Sequence, residues 1–215
     1  MGINIRNEIK AKIDDQYSYI AGLMNSYPML SENWKNEQCN KFRNIAKESS
    51  DGDNEIEIDI YKQLVSGLEN SDLEESIFNN SMFLMVFSYF EGIINTIAIK
   101  EGIVVLTKKN KQKKMPSADE IISQIEKAKK ITLSAESKQI QKDIQILRKL
   151  RNDITHNNGA LCDSLTQEIS NIDIYNGTIV IHNFDFVYRT LDKIHSLLKE
   201  LSILLDYEKY VILEK

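Results

Sequence analysis

Two prolines, two cysteines, one tryptophan and eight glycines are all that the 215 residues contain of these types. Proline and glycine are the residues that break or weaken a helix interior, so their scarcity leaves long helices uninterrupted. Cys39 and Cys162 are too few for a disulfide framework, and they stand in no Cys/His spacing that closes a zinc site. A cytoplasmic chain without metal or cofactor is the expectation. The opening stretch MGINIRNEIK turns polar at once and lacks the apolar core of a secretory signal. Arg6 stands where myristoylation of Gly2 needs Ser or Thr.

What is present is ordinary globular usage, 42% apolar and 27% charged, which argues against wholesale disorder. The apolar run from Met82 to Ile99 is long enough to raise the question of a membrane span. Ser88, Glu91 and Asn95 interrupt it, and a core helix buried on nearly all sides is the expectation, with no membrane partner. The formal charge of −5 conceals a division. Lys100 to Arg151 holds fourteen Lys/Arg against six Asp/Glu, a net +8, and the rest carries the balancing −13. A basic sector of this kind suits phosphates, although a solvated lysine loop is the plain alternative.

Helical periodicity recurs along the chain. Ile5, Ile9, Ile13, Tyr17 and Ile20 mark a first helix that is expected to stop at Tyr27-Pro28, with a second helix capped by Ser31. Ile56 to Leu68 predicts a third, despite the strand-like alternation of Ile56, Ile58 and Ile60. Asn70-Ser71-Asp72 opens a central helix to Ile99. Ser117 caps a helix through Ile121, Ile122, Ile125 and Ala128, and another runs from Ser134 into LRKLRNDITHNNG, Leu147 to Gly159. Asn176-Gly177 joins two β-favouring runs within Ile172 to Ile181, a hairpin signal. A closing helix covers Phe184 to Tyr207. The fold class is all-α.

The Leu147–Gly159 stretch carries the chemistry. Stepping about 100° per residue from Ile140 puts Ile144 near 40°, Leu147 near −20° and Ile154 near −40°. Arg151 falls near 20°, within this apolar face, and His156 near 160°, on the far side with Asn152 and Arg148. A guanidinium on a core face needs a partner. Glu91, on the polar strip Ser88–Glu91–Asn95 of the central helix, is the natural one. Plainer readings stand beside this: Arg151 snorkels from the rim, His156 favours a helix end that Asn157-Asn158-Gly159 stops, and Glu91 is a satisfied buried carboxylate.

Leu150, Arg151, Asn152 and His156, followed by Asn-Asn-Gly, resemble the Arg-Asn-x-x-x-His motif of the HEPN superfamily. FSYFEGIINTIA, Phe87 to Ala98, is similar to the helix that precedes the motif there. The resemblance covers about Ser71 to Tyr207. It implies an antiparallel helical bundle in residues 71–215; it does not explain residues 1–70, which are expected to form an N-terminal helical extension packed on that bundle, and the small β-hairpin before the last helix is the one read from Asn176-Gly177. The resemblance further implies a homodimer whose two motifs meet in one cleft, and a metal-independent endoribonuclease of a toxin–antitoxin or anti-phage system. An antitoxin or other defence-system protein is then a partner. One subgroup carries a Tyr two residues after the His that a partner nucleotidyltransferase modifies; Asn158 holds that place here.

On this resemblance Arg151, Asn152, His156 and Glu91 are the catalytic group, with His156 moving protons, Arg151 holding the scissile phosphate, Asn152 orienting and Glu91 holding Arg151. Cleavage leaves a 2′,3′-cyclic phosphate. Lys108, Lys109, Lys111, Lys113, Lys114 and Arg148 are expected to bind the RNA backbone, with Lys127, Lys129 and Lys130 nearby. His182 and His195 are read as structural. The alternative function is a non-catalytic RNA-binding, regulatory or antitoxin-like dimer of the same fold.

Overall fold

The computed structural model describes residues 5–66, 71–103, 117–156, 169, 172–175 and 178–207. Among these residues six helices and one hairpin follow in chain order: α1 (Ile5–Ser49), α2 (Asn54–Ser66), α3 (Ser71–Lys100), α4 (Ala118–Lys129), α5 (Ala135–His156), β1 (Asp173–Tyr175), β2 (Thr178–Val180) and α6 (Phe184–Leu204). α3 is the hub, packing on α1, α4, α5 and α6. It places Phe83, Phe87, Phe90, Ile93, Ile94 and Ile97 in one core with Ile13 and Met24 of α1, Leu150 of α5 and Leu198 of α6. At about 2 kcal/mol for each fully buried large side chain, this core is the main source of stability.

The expected break at Pro28 does not occur. α1 runs through it for 45 residues, so Ser31 caps nothing. Proline removes one hydrogen bond and crowds the preceding turn, at a cost of about 3 kcal/mol. The helix is anchored on either side of it: Ile13, Ile20 and Met24 are buried before Pro28, Tyr27 stacks on Phe78 of α3 at 3.6 Å, and the far half lies against α2 with Ala46 buried. α2 returns antiparallel along α1 alone. None of its residues is buried, and Ile56 and Ile58 stay about half exposed, which accounts for their strand-like alternation.

α3 also departs from expectation, because it is not buried on all sides. Ile77, Ser81, Met85, Ser88, Gly92 and Ile99 form an exposed stripe, spanning an arc of about 80°. The hydroxyls of Ser81, Ser88 and Thr96 donate to the carbonyls of Ile77, Leu84 and Gly92 of their own helix. The face thus presents few unsatisfied polar groups. Its apolar stretch is long enough to cross a bilayer, yet 56% of it is buried inside the protein. Gly102 ends the helix at φ 65, where glycine avoids the Cβ penalty, and Ile103 N–H closes back on the Ala98 carbonyl at 2.9 Å.

Ser117 caps α4 as expected, in a capping box with Glu120. Ser134 opens α5, and Glu200 of α6 accepts from its backbone N–H and from the hydroxyls of Ser134 and Ser137. β1 and β2 pair antiparallel with Tyr175 opposite Thr178, the register of a two-residue connection; Asn176 and Gly177 themselves lie outside the described residues. Two successive asparagines of α3 hold this hairpin. Asn79 donates to the Ile181 carbonyl and Asn80 to that of Ile179, each at 2.8 Å.

His195 has partners from two other helices. Its ring stacks on Tyr17 at 3.9 Å, Nδ1 lies 3.3 Å from the Tyr89 hydroxyl, and Nε2 lies 3.6 Å from Asp14. Tyr89 also donates to the Ile13 carbonyl, which ties the ring's neighbour to α1. Burial, followed by Lys199, lowers the His195 pKa from its ordinary 6.5, against the opposing pull of Asp14 and Asp192. The unfolded chain therefore takes up this proton first. The contribution to stability is full above the ordinary histidine value and is lost as pH falls through it towards the folded pKa. The urea midpoint is expected to fall as pH is lowered from about 7 to about 5.5, and His195→Gln to flatten that fall. An equally steep fall in the variant would assign it to other groups.

Candidate functional site

α5 buries Ile140, Ile144, Leu147 and Leu150 against the core, and its last turns emerge beside α3. There Arg151 Nη2 donates to Glu91 Oε2 at 3.1 Å. Nη1 donates to Asn152 Oδ1 at 3.0 Å. The Thr155 hydroxyl donates to the Arg151 carbonyl at 2.7 Å and tightens the final turn. The Arg151 side chain is 26% exposed and that of Glu91 34%, so the pair lies at the edge of the core rather than inside it. A half-wet pair of this kind contributes about 1 kcal/mol or less to stability. Its main effect is to fix the guanidinium.

This geometry refines the wheel in two ways. Of the strip Ser88–Glu91–Asn95, Glu91 is the member that reaches Arg151, while Ser88 turns back to its own helix. Arg151 and Asn152 also do not serve separate faces. The long arginine side chain brings its head across the angle between successive positions, and one guanidinium links Glu91 to Asn152. A guanidinium has five N–H groups; among the described residues, two of those on Arg151 are engaged.

His156 is the last residue of α5, one turn beyond Asn152; its side chain lies outside the described residues, as do Asn157, Asn158 and Gly159. Lys108, Lys109, Lys111, Lys113 and Lys114 also lie outside them. Lys127 and Lys130 are exposed, whereas Lys129 pairs with Glu101 and Lys138 with Glu126. Arg148 faces Asp119 of α4, Nη1 to Oδ2 at 3.7 Å. No sequence signal singles out Asp119, because two residues after the Ser117 cap it has the ordinary place of a first-turn carboxylate. Burial raises its pKa, against the attraction of Arg148.

A groove of about 320 Å³ lies between α5 and α6, lined by Asp143, Leu147, Phe186, Arg189 and Lys193 among others. Arg151 is not part of it. The Lys193–Asp143 ion pair, 2.8 Å, crosses from α6 to α5 there. Among the described residues no group of three or more His, Cys, Asp or Glu side chains is placed to hold a metal ion.

Among known families, the chain falls in the HEPN superfamily. The model that matches is described as Cthe2314-like HEPN and spans residues 19–209, and the chain belongs to that family. The match takes in most of α1 and all of α2, where the motif resemblance had covered only Ser71 to Tyr207. No curated protein and no solved structure matches the chain.

Proposed function

We propose that this HEPN-domain protein is a metal-independent endoribonuclease that acts as a homodimer, in a toxin–antitoxin or anti-phage setting. The observation that carries the reading is Arg151, held by Glu91 and Asn152 with N–H groups to spare among the described residues, five positions before His156. RNA cleavage without metal needs a proton taken from the 2′-hydroxyl, charge stabilised on the phosphorane and a proton delivered to the 5′-oxygen. His156 takes the proton transfers, because imidazole titrates near neutrality. Arg151 binds the phosphate with its fork. Glu91 and Asn152 position Arg151, and the Asn152 amide N–H groups are available to a phosphate oxygen.

The exposed α3 stripe supports the dimer. Glu91 borders that stripe, about 40° from Ile77 on the helix wheel, so pairing this face with its copy brings two Arg151 groups to one cleft. In this reading residues 71–215 form the cleaving domain. Residues 1–70 form a helical extension packed on it, with Ile9, Ile13, Ile20 and Met24 of α1 in the common core. The test is to incubate purified protein with total RNA in EDTA and map the ends. Fragments ending in 2′,3′-cyclic phosphate are expected; intact RNA bound by the protein would instead identify a non-catalytic binding dimer.

A further inference from the structure

Arg148 lies one turn before Arg151 on α5, and on the helix wheel it falls between Arg151 and Asn152, about 60° from the first and 40° from the second. Each arginine is braced by one carboxylate from a different helix, Arg151 by Glu91 of α3 and Arg148 by Asp119 of α4. The second brace is built inside out: the Asp119 side chain is 9% exposed and that of Arg148 40%.

Asp119 is also poorly satisfied. Oδ2 faces Arg148 at the long distance of 3.7 Å, and Oδ1 is buried with no hydrogen-bond partner among the described residues. A bare buried carboxylate oxygen opposes folding. α4 and α5 are joined here in any case by Gln141, whose amide donates to the Asp119 backbone carbonyl at 3.4 Å. The Asp119 charge gains at the helix start and loses by burial, and it holds a half-exposed guanidinium that stems from the helix face between Arg151 and Asn152.

We infer that Arg148 is a second phosphate-binding residue and Asp119 its positioning residue, so that α5 grips two neighbouring phosphates of one RNA strand. This rests on the RNA reading of the Arg151 site. Positions three apart on a helix have Cβ atoms about 5–6 Å apart, which suits two long side chains meeting neighbouring phosphates. Arg148 contributes charge at the flank, while the chemistry stays with Arg151 and His156.

The probe is a fluorescent single-stranded 2′-O-methyl RNA, which the mechanism cannot cleave, titrated by anisotropy across a salt series. Loss of one phosphate contact reduces the slope of log affinity against log salt by about 0.7, which is about fivefold between 1 M and 0.1 M salt. Arg148→Ala is expected to show that change and, on cleavable RNA, to raise KM with kcat kept. Asp119→Asn is expected to weaken RNA binding while its thermal midpoint stays near the wild-type value, since relief of the buried charge offsets the lost helix-start carboxylate. An unchanged salt slope in Arg148→Ala overturns the inference. So does an Asp119→Asn protein with a lowered midpoint and unaltered RNA affinity, because the pair is then a structural tie. Wild-type protein that binds no RNA overturns this inference and the proposed function together; an unchanged variant slope against a binding wild type overturns this inference alone.

Discussion

RNA cleavage by the His156→Ala protein is expected to fall by about 10²–10⁴-fold, the usual contribution of a positioned general acid or base. The fold and RNA affinity are expected to stay. The contacts that hold Arg151, to Glu91 and to Asn152, are made without the histidine, and α5 is anchored by Ile140, Ile144, Leu147 and Leu150 well before its end. Single-turnover rates at saturating protein give the chemical step, and anisotropy on 2′-O-methyl RNA gives binding. In the proposed dimer, where two histidines divide the acid and base roles, the wild-type rate is expected to follow a bell against pH. A variant that cleaves at the wild-type rate and leaves the same ends would remove His156 from the mechanism.

Arg151→Ala is expected to lower kcat by about 10²–10³-fold, the loss typical when one donor to a developing oxyanion is removed. Arg151→Lys is expected to recover only a small part. Lysine keeps the charge but has no planar fork, so it cannot serve Glu91 and a phosphate together. The stability cost is expected to stay near 1 kcal/mol, because Glu91 is one-third exposed and water reaches it when the guanidinium is gone. Chemical denaturation beside the kinetics separates the two effects. Activity loss that tracks unfolding would make the Arg151–Glu91 pair a structural tie between α3 and α5.

Most of the helical fold is legible in the sequence because apolar periodicity and end signals agree. Ser117 marks a helix start that the structure uses, and the apolar period that begins at Phe184 marks another. Asn176-Gly177 places a hairpin where β1 and β2 pair. The pairing of Arg151 with Glu91 is legible for a similar reason: each is a lone charge of opposite sign on an apolar pattern. Pro28 misleads because a local penalty is weighed there without the tertiary packing that outweighs it. The α3 stripe is hidden because serine, glycine and threonine can line either a core or a surface. Their hydroxyl bonds to the preceding turn are visible only in three dimensions.

Asp119 and His195 escape for different reasons. Asp119 already has a sufficient local explanation as a helix-start carboxylate. His195 draws its neighbours from α1 and α3, more than a hundred positions away in sequence, and no spacing rule links them. Asn79 and Asn80 are similar, since nothing near them shows that they hold a hairpin a hundred residues later.

Both arginines of the α5 flank have a carboxylate beside them. In the proposed reading each guanidinium meets phosphate with part of its charge already offset, so a lone monoanion gains little from either one. A strand that offers two phosphates engages both, and the second contact is nearly intramolecular. The paired carboxylates are therefore expected to favour a polymer over free phosphate or single nucleotides, which competition of each against labelled RNA would show.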